Sequence, residues 1–121
     1  MLKPMTTTTT HINLDYLRLM ADGDADMEKV MLDMLLTELP TEFEKMKILC
    51  DAKDWAELSR VSHKMKSTLA FVGNDEMTAA NKAIESASKN NENLEDIGGY
   101  IATMEHHLEP VVEELKLALG S

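Results

Sequence analysis

The segment DWAELSRVSHKMKSTLAFVG, residues 54–73, decides the fold. It opens on Asp54-Trp55-Ala56-Glu57, a capping box in which the Asp54 carboxylate accepts from the backbone N–H at Glu57. It closes on Gly73, a residue suited to the left-handed end of a helix, with Asn74 next as a fresh N-cap. Between these signals Leu58, Val61, Met65, Leu69 and Val72 recur at steps of three and four. That is the buried stripe of an amphipathic helix.

The same signals repeat on both sides. Upstream, a short helix over roughly residues 14–20 stops at Asp22-Gly23-Asp24. Asp24 caps a longer helix running to about Cys50, with the stripe Leu32, Leu36, Leu39, Phe43, Met46 and Cys50. Pro40 falls inside it and is expected to bend it or open one turn, because proline lacks the N–H donor. Downstream, Met77, Ala80, Ile84 and Ala87 mark a helix that ends in Asn90-Asn91-Glu92-Asn93. The last stripe is Leu94, Ile97, Ile101, Met104, Leu108, Val111 and Leu115, weakened locally by Gly98-Gly99 and Pro110. Four amphipathic helices joined by short polar turns predict an all-α fold, an antiparallel four-helix bundle with a short N-terminal helix covering one end. Residues 12–119 form that domain in this reading. Residues 1–11, with the run Thr6 to Thr10, read as a disordered tail or linker that includes His11.

Composition narrows the function. Among 121 residues, 22 Asp and Glu outweigh 12 Lys and Arg, a net charge of −10, which argues against a nucleic-acid or anionic-membrane partner. No run approaches the ~20 apolar residues that span a bilayer, and the start lacks a secretory signal. Cys50 is the only cysteine, so no internal disulfide forms, and a cytoplasmic protein is expected. No Gly-rich run precedes a helix, which leaves no phosphate-binding loop. The ten methionines are read as core fillers rather than a copper cluster.

His63 does not fit a core reading. At about 100° per residue it lies about 150° from the centre of the buried stripe, on the solvent side. Lys66 and Ser67 follow on nearly the same line, at i+3 and i+4. Neutral imidazole is nucleophilic near physiological pH and can accept a phosphoryl group. An ammonium at Lys66 would then offset the added charge, and the Ser67 hydroxyl would donate to a phosphoryl oxygen.

Residues 59–73 resemble the active helix of histidine-containing phosphotransfer (HPt) domains. The family pattern places an apolar residue two before the histidine, a lysine three after it, small residues next, and a glycine ten after. Val61, His63, Lys66, Ser67 and Gly73 match it in that order. Leu14-Asp15-Tyr16-Leu17 with Asp22-Gly23-Asp24 looks like the family's first helix and turn, and Leu35 to Pro40 looks like its second helix. The resemblance covers about residues 12–117. One position departs: many members carry glycine where Ser67 stands, and a hydroxymethyl group there either crowds the phosphoryl group or binds it.

The resemblance implies a phosphorelay intermediate with no kinase or ATP site of its own. His63 would accept a phosphoryl group from a receiver-domain aspartate and pass it to another receiver, with Lys66 stabilising the transferring charge. Mg²⁺ would reside on the partner receiver, and the chain would need no cofactor. The partners implied are response-regulator receivers and hybrid sensor histidine kinases. The chain is expected to be a monomer, and its Met start with a short tail points to a free-standing protein. The alternative is a phosphotransfer-inactive module of the same fold that only binds a receiver or kinase. Ala70 and Phe71, beyond His63 on the same helix, are read as part of the receiver-docking face. His106-His107, with Glu105 and Glu109, are read as a solvated helix face, and Cys50 as an inert core residue.

Overall fold

Three of the long helices begin at a side-chain oxygen that meets backbone N–H groups otherwise lacking partners. The computed structural model describes residues 11–120. Its helices are α1 (Asp15–Ala21), α2 (Ala25–Asp51), α3 (Trp55–Val72), α4 (Asp75–Asn90) and α5 (Ile97–Gly120), with a 3₁₀ turn at Leu94–Asp96. Asp24 accepts from Asp26 N and Met27 N, Asp54 from Glu57 N, and Asn74 from Met77 N. These are the three caps expected from the sequence, each satisfying donors that would otherwise be orphaned. Gly73 ends α3 in the left-handed conformation, with φ of 74°.

The long helices close a ring: α2 packs on α3, α3 on α4, α4 on α5, and α5 back on α2. With such short connections this is an antiparallel four-helix bundle. Helix α1 lies across α2 and α3 and drives Leu17 and Ala21 into one end of the core. Phe43, Met46, Leu58, Met65, Met77, Ile84, Met104 and Leu115 are all fully buried at its centre. Helix α5 runs unbroken through Gly98, Gly99 and Pro110, with Leu94 left in the preceding 3₁₀ turn.

Several side chains differ from expectation. Helix α2 continues without interruption through Pro40. Leu39, Phe43 and Met46 anchor it on both sides of the missing hydrogen bond, so tertiary packing carries the helix past the proline. Leu35, not Leu36, takes the buried place in its stripe, and Cys50 is only half-buried. Burial, then the nearby Asp51 charge, pushes the Cys50 thiol up from its ordinary pKa, away from the reactive thiolate. The methionines divide: Met46, Met65, Met77 and Met104 fill the core, whereas Met20, Met27 and Met34 are exposed.

His107 is buried rather than solvated, because it faces the turn between α3 and α4. Its Nε2 lies 3.2 Å from Glu76 Oε2, and its Nδ1 has no hydrogen-bond partner among the described residues. His11 is also engaged. Its N–H donates to Glu114 Oε1 at 3.1 Å, its Nδ1 lies 2.5 Å from Glu114 Oε2, and its carbonyl accepts from Asn74 Nδ2 at 2.9 Å. Asn13 N donates to Val72 O at 2.9 Å. The chain therefore crosses tightly over the Gly73-Asn74 turn. Residues 1–10 lie outside the described part.

A buried polar clamp joins α3 to α4. Ser62 Oγ donates to Asn81, with Oδ1 at 2.8 Å and the backbone carbonyl at 3.0 Å, while Asn81 Nδ2 donates to Ser62 O at 3.0 Å. Both residues are fully buried, so every polar atom must be met from within. The clamp has one register that satisfies it, and it sits beside His63 in the chain.

Two stability predictions follow from these contacts. A Cβ at Gly73 would collide with the Asn13 carbonyl oxygen and sit 2.8 Å from Asn13 Cβ, in a backbone conformation that already disfavours side chains. Gly73→Ala should cost about 2 kcal/mol or more and lower Tm by roughly 8 °C. In urea denaturation, Ser62→Ala and Asn81→Ala should each cost about 1–3 kcal/mol. The double variant should cost less than their sum by about 1 kcal/mol or more, the sign of direct coupling.

Candidate functional site

The exposed face of α3 places an imidazole in solvent and α4 places a carboxylate behind it. The His63 side chain is 68% exposed. Its Nδ1 lies 2.6 Å from Oε2 of Glu85, whose side chain is only 16% exposed. The other Glu85 oxygen, Oε1, lies 3.8 Å from Lys66 Nζ. One carboxylate thus bridges the histidine and the lysine that the sequence picked out as a pair.

This arrangement fixes which ring nitrogen can react. A carboxylate is an acceptor only, so the Nδ1–H donates to Glu85 and the lone pair of the neutral ring resides on Nε2. Nε2 has no hydrogen-bond partner among the described residues. The result is a nucleophilic nitrogen held at a set angle and open to a second molecule.

One hollow is lined by the imidazole itself, and a second begins one turn away at Ser67. Ser59, Arg60, His63, Glu85 and Lys89 line the first, where Arg60 and Lys89 bring positive charge into a strongly acidic protein. The other is an apolar groove of about 330 Å³ between α2 and α3, lined by Met31, Met34, Leu35, Glu38, Ser67, Thr68 and Phe71. Ser67 is exposed and opens into this groove, one turn beyond His63. Ala70 is exposed two turns from His63, on the same line of the helix. Phe71 is half-buried and stacks on Tyr16 of α1, with ring centroids 5.2 Å apart, so it forms a wall of the groove. Gly73 stands apart from the chemistry, under the crossing at Asn13.

Glu85 escaped the reading of the sequence. It flanks the buried stripe of α4 one residue after Ile84, where an acidic side chain is unremarkable. A usable signal existed in the spacing. His63 is ten residues before Gly73 (73 − 63) and Glu85 twelve after it (85 − 73), so a hairpin folding at Gly73-Asn74 brings them to one height. Among the described residues no three His, Cys, Asp or Glu side chains group as a metal site, and no helix is long and apolar enough to cross a membrane.

The Hpt domain family model matches residues 30–118, from the first turns of α2 to near the end of α5. No curated protein sequence matches the chain. Among solved structures, the chain is similar to the HPt domain of a sensor hybrid histidine kinase from Shewanella. The two are 26% identical, with a TM-score of 0.78 over 93% of this chain and 97% of that one. It is also similar to histidine-containing phosphotransfer protein B from Pseudomonas aeruginosa PAO1, with a TM-score of 0.82 over the same shares. At 18% identity the second likeness speaks to the fold alone. Helix order, the bundle and the family match agree: the chain belongs to the Hpt domain family, phosphocarriers rather than kinases, and is a phosphorelay intermediate whose partners are receiver domains.

Proposed function

We propose that Nε2 of His63 is the phosphoacceptor and that Glu85 and Lys66 divide the supporting work. The observation that carries this reading is the 2.6 Å contact between Nδ1 and Glu85, which leaves Nε2 bare on an exposed face. A receiver's phosphoaspartate presents its phosphorus to Nε2. The nitrogen lone pair forms the N–P bond as the P–O bond to the aspartate breaks, and the receiver recovers its carboxylate. The proton on Nδ1 remains in the bond to Glu85, which balances the charge gathering on the ring.

The phosphoryl group carries about −2 charge once attached. Lys66 is half-held by Glu85 at 3.8 Å, loose enough to turn toward the new oxygens. Arg60 and Lys89 add positive potential from the other side. The Ser67 hydroxyl lies within the same exposed turn and can donate, which favours binding over crowding. Catalysis here is positioning rather than acid–base chemistry, as expected for phosphoryl transfer between two prepared groups. Mg²⁺ belongs to the receiver in this scheme, and this chain brings no cofactor. Donors and acceptors are the receiver of a hybrid sensor kinase and that of a response regulator, in the cytoplasm.

The apolar groove is the face on which the receiver docks. It reaches within one turn of His63 at Ser67, Phe71 lines it, and Ala70 is exposed next to Phe71 on the same helix. A binding-only module would use this groove equally well, yet it would need neither a bare Nε2 nor a carboxylate holding Nδ1.

Incubation with a phosphorylated receiver should label the wild type with an acid-labile, base-stable phosphoryl group, and His63→Gln should take none. Label on His63→Gln would overturn the assignment. Glu85→Ala should take label roughly tenfold more slowly at saturating receiver, the scale of one lost orienting hydrogen bond. Its ¹⁵N imidazole signals should shift from the Nδ1–H tautomer toward a mixture. In a separate experiment, Ala70→Arg should raise the receiver concentration for half-maximal uptake without altering Tm, because Ala70 is exposed. An unchanged concentration dependence would remove Ala70 from the docking face.

A further inference from the structure

The methionines of the described residues form two sets that core filling cannot explain together. Met46, Met65, Met77 and Met104 have no exposure at all. Met20, Met27 and Met34 are 53%, 45% and 52% exposed, and Met31 is half-buried. Met27, Met31 and Met34 follow at i, i+4 and i+7 along one face of α2. Met31 and Met34 line the groove that reaches Ser67. Met20 lies on α1 four residues after Tyr16, the ring that stacks on Phe71 at the groove wall. Among the described residues, the four solvent-reachable methionines therefore gather on the α1–α2 side, two of them in the groove that ends at Ser67, one turn from His63.

A thioether at these positions does what leucine would do for packing, since it is apolar and adapts to an irregular partner surface. It differs from leucine in one reaction. Hydrogen peroxide oxidises it: the sulfur lone pair attacks one peroxide oxygen, the S–O bond forms as the O–O bond breaks, and the hydroxide released takes the proton of the transferred oxygen and leaves as water. Sulfur is oxidised by two electrons and the peroxide reduced by two. The product carries a strongly polar oxygen that a docked apolar surface would leave without a donor.

We propose that Met20, Met27, Met31 and Met34 are sites of reversible sulfoxidation by peroxides, and that oxidation there weakens receiver docking while sparing the fold. The inference rests on the reading of the groove as the receiver-docking face. The four core methionines have no surface for the oxidant to reach, so the bundle survives conditions that convert its docking side. Reduction of the sulfoxides by methionine sulfoxide reductases restores the apolar face.

The test oxidises this protein alone with hydrogen peroxide, removes the peroxide, and then adds phosphorylated receiver. Peptide mass mapping should find added oxygen on Met20, Met27, Met31 and Met34 well before Met46, Met65, Met77 or Met104, with Tm nearly unchanged. The receiver concentration for half-maximal uptake should rise about tenfold or more while the saturated rate holds. Treatment with methionine sulfoxide reductases should reverse the change. In the variant with Met20, Met27, Met31 and Met34 all changed to Leu, uptake should be the same before and after peroxide, whatever its starting level. Uptake by the wild type that survives full oxidation of the four would overturn this inference and leave the phosphocarrier reading standing. A loss equal in the four-leucine variant would overturn it too, by placing the damage elsewhere. Failure of untreated wild type to take any label would instead overturn the assignment of His63, and this inference with it.

Discussion

The offset between α3 and α4 is the constraint on which the site depends. Two contacts set it: the turn at Gly73 and Asn74, and the clamp of Ser62 on Asn81. The turn admits no side chain at Gly73 because Asn13 crosses directly over it. The clamp is satisfied in one register only, since sliding α4 by a turn would strand three buried side-chain polar atoms, Ser62 Oγ and both amide atoms of Asn81. With that register held, Asn81 and Glu85, one turn apart on α4, address Ser62 and His63, adjacent on α3. Structural and chemical contacts thus share a single alignment of two helices.

A carboxylate held behind an imidazole has a different effect from one free in water. Glu85 is mostly shielded by the helices while His63 is mostly exposed. The buried side of the pair is therefore the rigid one, and the ring is oriented from within the protein. Water could offer Nδ1 a hydrogen bond of similar strength, though it would not choose a rotamer or tautomer. The difference is entropy spent during folding rather than at the encounter with a partner.

Much of this was legible in the chain. Caps at Asp24, Asp54 and Asn74, the stop at Gly73 and the stripes of the four long helices all follow local rules that hold wherever a helix begins, ends or buries a face. His63 was legible for the complementary reason, as a residue on the wrong side of its own stripe. The failures were nonlocal. Pro40 signals a bend or an opened turn in isolation, and only packing on two neighbours overrides it. His107 sits where periodicity alone allows solvent, and the end of α3 together with the segment from His11 covers it. Glu85 becomes meaningful only once the offset between two helices is known. The methionines misled through their count: a shared side-chain chemistry suggested one shared location.

The core, the clamp and the strapped turn together leave this bundle little freedom to change shape around its histidine. Should His63 hold the phosphoryl group, Lys66 can exchange one acceptor for another by rotating its own side chain, with no helix displaced. The loaded and empty forms would then share one scaffold. A partner telling them apart would have to read the covalent group itself, by its charge and its transferable bond. Such a protein holds its signal as a chemical inventory, one molecule at a time, and the strength of the message is the number of molecules loaded.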